Sequence, residues 1–125
     1  MGYTSSELDG LVAGFAEALR RKVRVERIVL FGSWARGEAT AWSDIDLLVV
    51  SPDFGQDALA DMVLLRECLP PHEVDVDTIA RTPAQIASAE PDSFLATVLE
   101  DGVVVYPSLS GAAVRRRAGS GGSGL

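Results

Sequence analysis

Residues 30–50 read LFGSWARGEATAWSDIDLLVV. An apolar run ends at Gly32-Ser33, and a second one, Ile45 to Val50, carries Asp44 and Asp46 at its mouth. Continuous apolar, β-branched stretches of this kind are strands buried on both faces. A carboxylate at the end of such a strand is expensive to desolvate and calls for a partner or a cation. The stretch from Ser33 to Ser43 is too short for a comfortable helical crossover, so the two strands are expected in a mixed sheet.

Outward from this core the pattern continues. TSSELDGLVAGFAEALRRKV starts with capping residues and places Leu8, Leu11, Val12, Phe15 and Leu19 at helical spacing, predicting a helix over about 5–22. Pro52 stops the second strand. GQDALADMVLLRECLP predicts a helix with Leu59, Met62, Val63 and Leu65 among its apolar positions, and HEVDVDTIA alternates as a strand with one distinctive face. Helical segments open at Pro83 and Pro91, and GVVVYP makes a last short strand. The order predicts a small α/β (α+β) domain, a mixed β-sheet flanked by helices, over residues 1–107. Residues 108–125, ending RRRAGSGGSGL, have the composition of a flexible tail.

The 125 residues are 47% hydrophobic with a net charge of −7, which argues against a surface built for nucleic acid. Basic residues gather at Arg20–Arg27 and Arg115–Arg117, while acids dominate the middle, an arrangement suited to a cation site. The single cysteine, Cys68, permits no internal disulfide and fits a reducing, cytoplasmic setting. No apolar run nears the roughly 20 residues of a membrane span, and the first ten residues lack the build of a secretory signal. No membrane or direct nucleic-acid partner is expected.

On a strand, residues i and i+2 share a face about 6.7 Å apart, so Asp44 and Asp46 project together. Glu73, Asp75 and Asp77 do the same on the third strand. If those strands are neighbours, their carboxylates converge into a hard oxygen site suited to Mg²⁺. Two such ions about 3.5–4 Å apart are the apparatus of phosphoryl or nucleotidyl transfer. Gly32 admits a ligand close to the backbone, Ser33 offers a hydroxyl and a helix-start amide, and Arg36 adds a planar donor fork for phosphate. Ser43 joins this nucleotide-binding set as a local cap that supports the aspartates. Trp34 and Trp42 flank the stretch and are expected to pack in the core or against a partner; His72 is expected in a loop.

Gly32-Ser33, ten residues, then Asp44-x-Asp46 resembles the signature of the polymerase-beta-like nucleotidyltransferase superfamily. The fuller FGSWARGEATAWSDIDLLVV, with HEVDVDTI and FLATVLEDGVVVYP, is similar to its minimal nucleotidyltransferase (MNT) branch over about residues 8–106. The resemblance implies the polymerase-beta-like fold. It also implies that Gly32 and Ser33 hold the triphosphate of ATP, that Asp44 and Asp46 bind two Mg²⁺ ions, and that a third-strand aspartate completes the catalytic site. Asp75 is the first choice for that place, because EVDV best matches the family's strand, with Asp77 the alternate. Members of this branch are antitoxins paired with HEPN-type ribonuclease toxins, and transfer AMP from ATP to a tyrosine of the toxin. The expected function is therefore protein adenylyltransferase and antitoxin, in a homo- or hetero-oligomer. Two other readings stand beside it: an antitoxin that neutralises by binding alone, and a small-molecule nucleotidyltransferase with a separate substrate-binding subunit.

Overall fold

Thr4 and Glu7 set the first helix. Glu7 N–H donates to Thr4 Oγ1 at 3.2 Å and Thr4 N–H to Glu7 Oε1 at 2.8 Å, a reciprocal cap. The computed structural model describes residues 4–109 and 114–117. Helix α1 spans Ser5–Arg20 and buries Leu8, Leu11, Val12, Phe15, Ala16 and Leu19 along one stripe. It ends two residues before the expected limit, where Lys22 and Val23 turn their N–H groups back to Leu19 O.

Strands β1 (Arg27–Phe31), β2 (Ile45–Val50), β3 (Val76–Arg81), β4 (Val103–Leu109) and β5 (Val114–Arg117) form one five-stranded sheet in the order β3-β2-β1-β4-β5. β1 lies antiparallel between β2 and β4, while β2 and β3 run parallel. The sheet is mixed, as the short first connection predicts. Alternation splits the central strands between two cores. Ile28, Leu30, Ile45, Leu47 and Val49 pack with α1 and with Phe54, Leu65 and Cys68. Val29, Phe31, Leu48 and Val50 pack on the other face with Val98 and the partly buried Ile79, Ile86 and Leu95.

The remaining helices are α2 (Ser33–Arg36), α3 (Ala58–Cys68), α4 (Pro83–Ala87) and α5 (Phe94–Asp101). Asp57, Thr82 and Ser93 cap α3, α4 and α5 with their side-chain oxygens. The last helix thus begins at Phe94 rather than at Pro91, because Ser93 supplies the cap. Two expectations need correction, and the apolar positions of α3 are mostly exposed. In α3 only Leu65 and Cys68 are buried, while Leu59, Met62 and Val63 face solvent. β3 begins at Val76, not near His72, and His72 Nδ1 lies 2.8 Å from Val74 O in the preceding loop. Residues 114–117, expected in a flexible tail, pair antiparallel with β4; residues 110–113 and 118–125 lie outside the described residues.

Part of the basic cluster is engaged locally: Arg20 and Arg21 pair with Glu17, and Arg24 with Asp53. No helix among the described residues is long and apolar enough to cross a membrane.

Leu65 is 1% exposed and joins α3 to the α1 side of the sheet. Leu65→Ala is expected to cost about 2–5 kcal/mol, whereas Thr4→Ala, which removes only a cap, is expected to cost about 1 kcal/mol. Urea denaturation with an unchanged slope checks both; a Leu65 variant no weaker than the Thr4 variant would contradict the burial of this face.

Candidate active site

The register of three strands builds the site. Phe31 stands opposite Asp46 across the β1–β2 pair, and Asp46 stands opposite Asp77 across the β2–β3 pair. Phe31 is the last residue of β1, so Gly32 lies directly beyond Asp46. Gly32 has φ 77° and ψ −157°, a conformation that side chains other than hydrogen resist. A Cβ there would run into Asp46 Oδ2 and stand 3.2 Å from its Cγ. Glycine is thus required twice, for its backbone angle and for the carboxylate packed against it.

Asp46 is half-buried and stands opposite Asp77 in the β2–β3 register. Burial, then the neighbouring charges of Asp77 and Asp44, push its pKa above the ordinary carboxylate value, and Arg36 pulls weakly the other way. The structure therefore brings Asp44, Asp46 and Asp77 into one electrostatic cluster. It does not bring Asp75 to Asp46. Asp75 precedes β3, and its backbone carbonyl accepts from Ile45 N–H at 2.9 Å. Alternation puts Asp75 and Asp77 on one face; the register sets Asp77 opposite Asp46 and, continued by one residue, Asp75 beside Asp44. Glu73 lies in the bend before the strand and is exposed.

Ser33 opens α2, and Gly32 O accepts from Ala35 and Arg36 N–H at 3.1 Å each. Gly37, with φ 74°, closes the turn. Arg36 is exposed, and its Nε donates to Glu38 Oε1 at 3.0 Å. Ser43 knits the loop ahead of β2: its Oγ accepts from Thr40 N–H at 2.9 Å, and its own N–H donates to Thr40 O at 3.1 Å. Trp34 Nε1 donates to Ser43 O at 3.1 Å and the indole packs against the core, so it staples α2 to the loop that presents Asp44. Trp42 is 62% exposed.

Sequence reading passed over one element. Phe94 is 63% exposed and packs edge-on against Phe31, with ring centroids 6.0 Å apart at 79°. An aromatic surface thus lies beside Asp46. Its sequence signal was only an aromatic residue at the start of a helix, which names no neighbour.

The donor chemistry suits a hard divalent cation. Among the described residues, no three Asp, Glu, His or Cys side chains stand close enough to hold a metal by themselves. Mg²⁺ does not need that, because it binds through one or two carboxylates plus water and substrate phosphates. A cation would offset both the burial and the neighbouring charges that lift the Asp46 pKa.

Comparison with known proteins shows the family and the fold. Residues 12–105 match the family described as "Nucleotidyltransferase domain". A protein of Methanocaldococcus jannaschii named "Putative protein adenylyltransferase" is 37% identical over 94 residues, covering 74% of this chain and 91% of that protein. A second protein of the same organism and the same naming is 46% identical over 46 residues, 37% of this chain and 46% of the other. The crystal structure of a "putative nucleotidyltransferase" from Sulfolobus solfataricus superposes with a TM-score of 0.53 at 21% identity, over 84% of this chain and 90% of that one, a likeness of fold.

The raised pKa of Asp46 makes a testable statement about stability. The folded protein keeps this proton to a higher pH than the unfolded chain does. Stability from this group is therefore present below the unfolded value and lost as pH rises through the folded one. Without metal, Asp46→Asn is expected to melt above wild type at neutral pH, and the gain should vanish below about pH 4. Thermal melts across this range check it, and a variant melting no higher than wild type at neutral pH would remove the repulsion from the account.

Proposed function

We propose that this chain, which belongs to the nucleotidyltransferase domain family, transfers AMP from ATP to a tyrosine of a HEPN-type toxin and so acts as its antitoxin. The family match supports nucleotidyl transfer. The names of the Methanocaldococcus relatives support a protein as acceptor. The observation that carries the reading is the carboxyl of Asp46, packed against Gly32 and facing Asp77.

In this reading Ser33 and Arg36 grip the triphosphate, and Asp44, Asp46 and Asp77 hold Mg²⁺. The bound cations supply charge neutralisation on the phosphates and lower the pKa of an oxygen nucleophile. Asp77, exposed at the sheet edge, takes the proton from the incoming tyrosine hydroxyl. That oxygen bonds to the α-phosphorus as the bridging α–β phosphate oxygen departs with pyrophosphate. The cluster contains no thiol, imidazole or amine, so a single direct displacement is favoured over a covalent enzyme intermediate.

The test is intact-mass analysis of a HEPN-type partner incubated with ATP, Mg²⁺ and this chain. A gain of one or more AMP groups on the partner, and none on this chain, is expected. Asp44→Ala/Asp46→Ala should abolish the gain. Asp77→Asn should reduce it far more than Asp75→Asn does; the reverse order would return the third place to Asp75. Ser33→Ala should weaken nucleotide handling by about 1.5–3 kcal/mol, since the backbone amides remain. A partner neutralised equally well by the double-alanine protein would establish binding-only neutralisation instead.

A further inference from the structure

The free edge of β3 points to a second copy of this chain. β3 is the outermost strand of the sheet and pairs only with β2 among the described residues. Ile45 N–H donates to Asp75 O and Ser51 N–H to Arg81 O, so the odd-numbered residues of this segment turn their backbone groups inward. By the alternation of a ladder, Val76, Thr78 and Ala80 turn theirs outward. One of these groups is covered by the strand's own side chain: Arg81 Nη1 donates to Ala80 O at 2.7 Å. A cationic side chain folded over an edge is a device that blunts indiscriminate strand pairing.

Beside this edge, α3 exposes an apolar stripe. Leu59 is 66%, Met62 49% and Val63 46% exposed, at the i, i+3, i+4 spacing of one helix face. A cleft of about 460 Å³ joins helix and strand, lined by Met62, Leu65, Thr78, Ala80 and Arg81.

We propose that two copies pair antiparallel through β3 about a twofold axis at Thr78, extending the sheet across both chains. The segment Asp75-Val76-Asp77-Thr78-Ile79-Ala80-Arg81 selects this arrangement by charge. An antiparallel copy centred on Thr78 sets Asp75 opposite Arg81 of the second copy, and Arg81 opposite its Asp75. A parallel copy in the same register would set Asp on Asp and Arg on Arg. The Asp–Arg pairs fall at non-hydrogen-bonded positions, where facing side chains come closest. Val76 and Ala80 exchange backbone hydrogen bonds, as do the two Thr78 residues, and Arg81 releases Ala80 O to do so. None of the ion pairs among the described residues involves Asp75 or Arg81, so both charges are available to the second copy. The two α3 helices then lie on the same side of the seam, and Leu59, Met62 and Val63 cover one another. The interface is isologous, as a closed dimer requires.

The full chain is to be examined by sedimentation equilibrium across a wide concentration range, with circular dichroism as the control for folding. Wild type is expected to dimerise. Thr78→Pro removes an N–H that points outward, which an edge strand tolerates, and should yield a folded monomer. Arg81→Glu should weaken dimerisation by about tenfold or more, from two pairs turned repulsive. Adding Asp75→Arg to Arg81→Glu should restore it. A wild type monomeric up to its solubility limit, a Thr78→Pro protein that dimerises like wild type, or a charge swap without rescue would each overturn the pairing. Stoichiometric binding of an unrelated strand peptide in place of a dimer would overturn it too.

Discussion

The site depends on one register. Phe31, Asp46 and Asp77 lie abreast on three neighbouring strands, and Gly32 follows as the chain leaves the sheet. A slip of one residue in β2 would turn Asp46 toward the α1 core and aim Ile45 at the open end. Leu47 to Val50 are apolar on both faces, Leu47 and Val49 on one side and Leu48 and Val50 on the other, and would exchange with little change in polarity. What resists the slip is the carboxylate itself, which would be driven without a partner into the α1 core.

Most of this was legible locally. Gly32, Ser33, Asp44 and Asp46 announce themselves because a glycine at a strand end and carboxylates at a strand mouth are chemically out of place. The strands around them were legible for the complementary reason, a run of β-branched and apolar residues with no polar face. The third carboxylate was not legible in the same way. Asp75 and Asp77 share a face under period-two alternation, and nothing within the segment tells which one meets Asp46. That depends on where β3 starts and how it pairs with β2, and both are set by contacts distant in sequence.

The exposed stripe of α3 was hidden for a related reason. Leu59, Met62, Val63 and Leu65 mark an apolar helix, but they are spread too widely around it for all to touch one sheet. α3 sits at the sheet's edge, packing on β3 and α1, so one arc is covered and the other is left to solvent. Position in the sheet, not periodicity, decides which residues are core. Strand β5 was missed because Val114–Arg117 are few and mostly basic, set between small residues, with no pattern to distinguish them from linker.

The electrostatics of the site show why it is set for a ligand. Asp46 carries a raised pKa because it is partly desolvated beside Asp77 and Asp44, and Arg36, the nearby cation, only partly offsets them. Arg36 is meanwhile held by Glu38 in an exposed pair, with side chains 47% and 64% accessible. Such pairs contribute at most about 1 kcal/mol. A charge-assisted bond from a guanidinium to phosphate contributes about 1.5–3 kcal/mol, enough to displace Glu38. The two halves of the site therefore carry opposite unmet demands, a carboxylate cluster short of cations and an arginine weakly occupied by a surface acid. In the proposed reading a metal-bound triphosphate would meet both at once, its cation toward Asp44, Asp46 and Asp77 and its anionic oxygens toward Ser33 and Arg36.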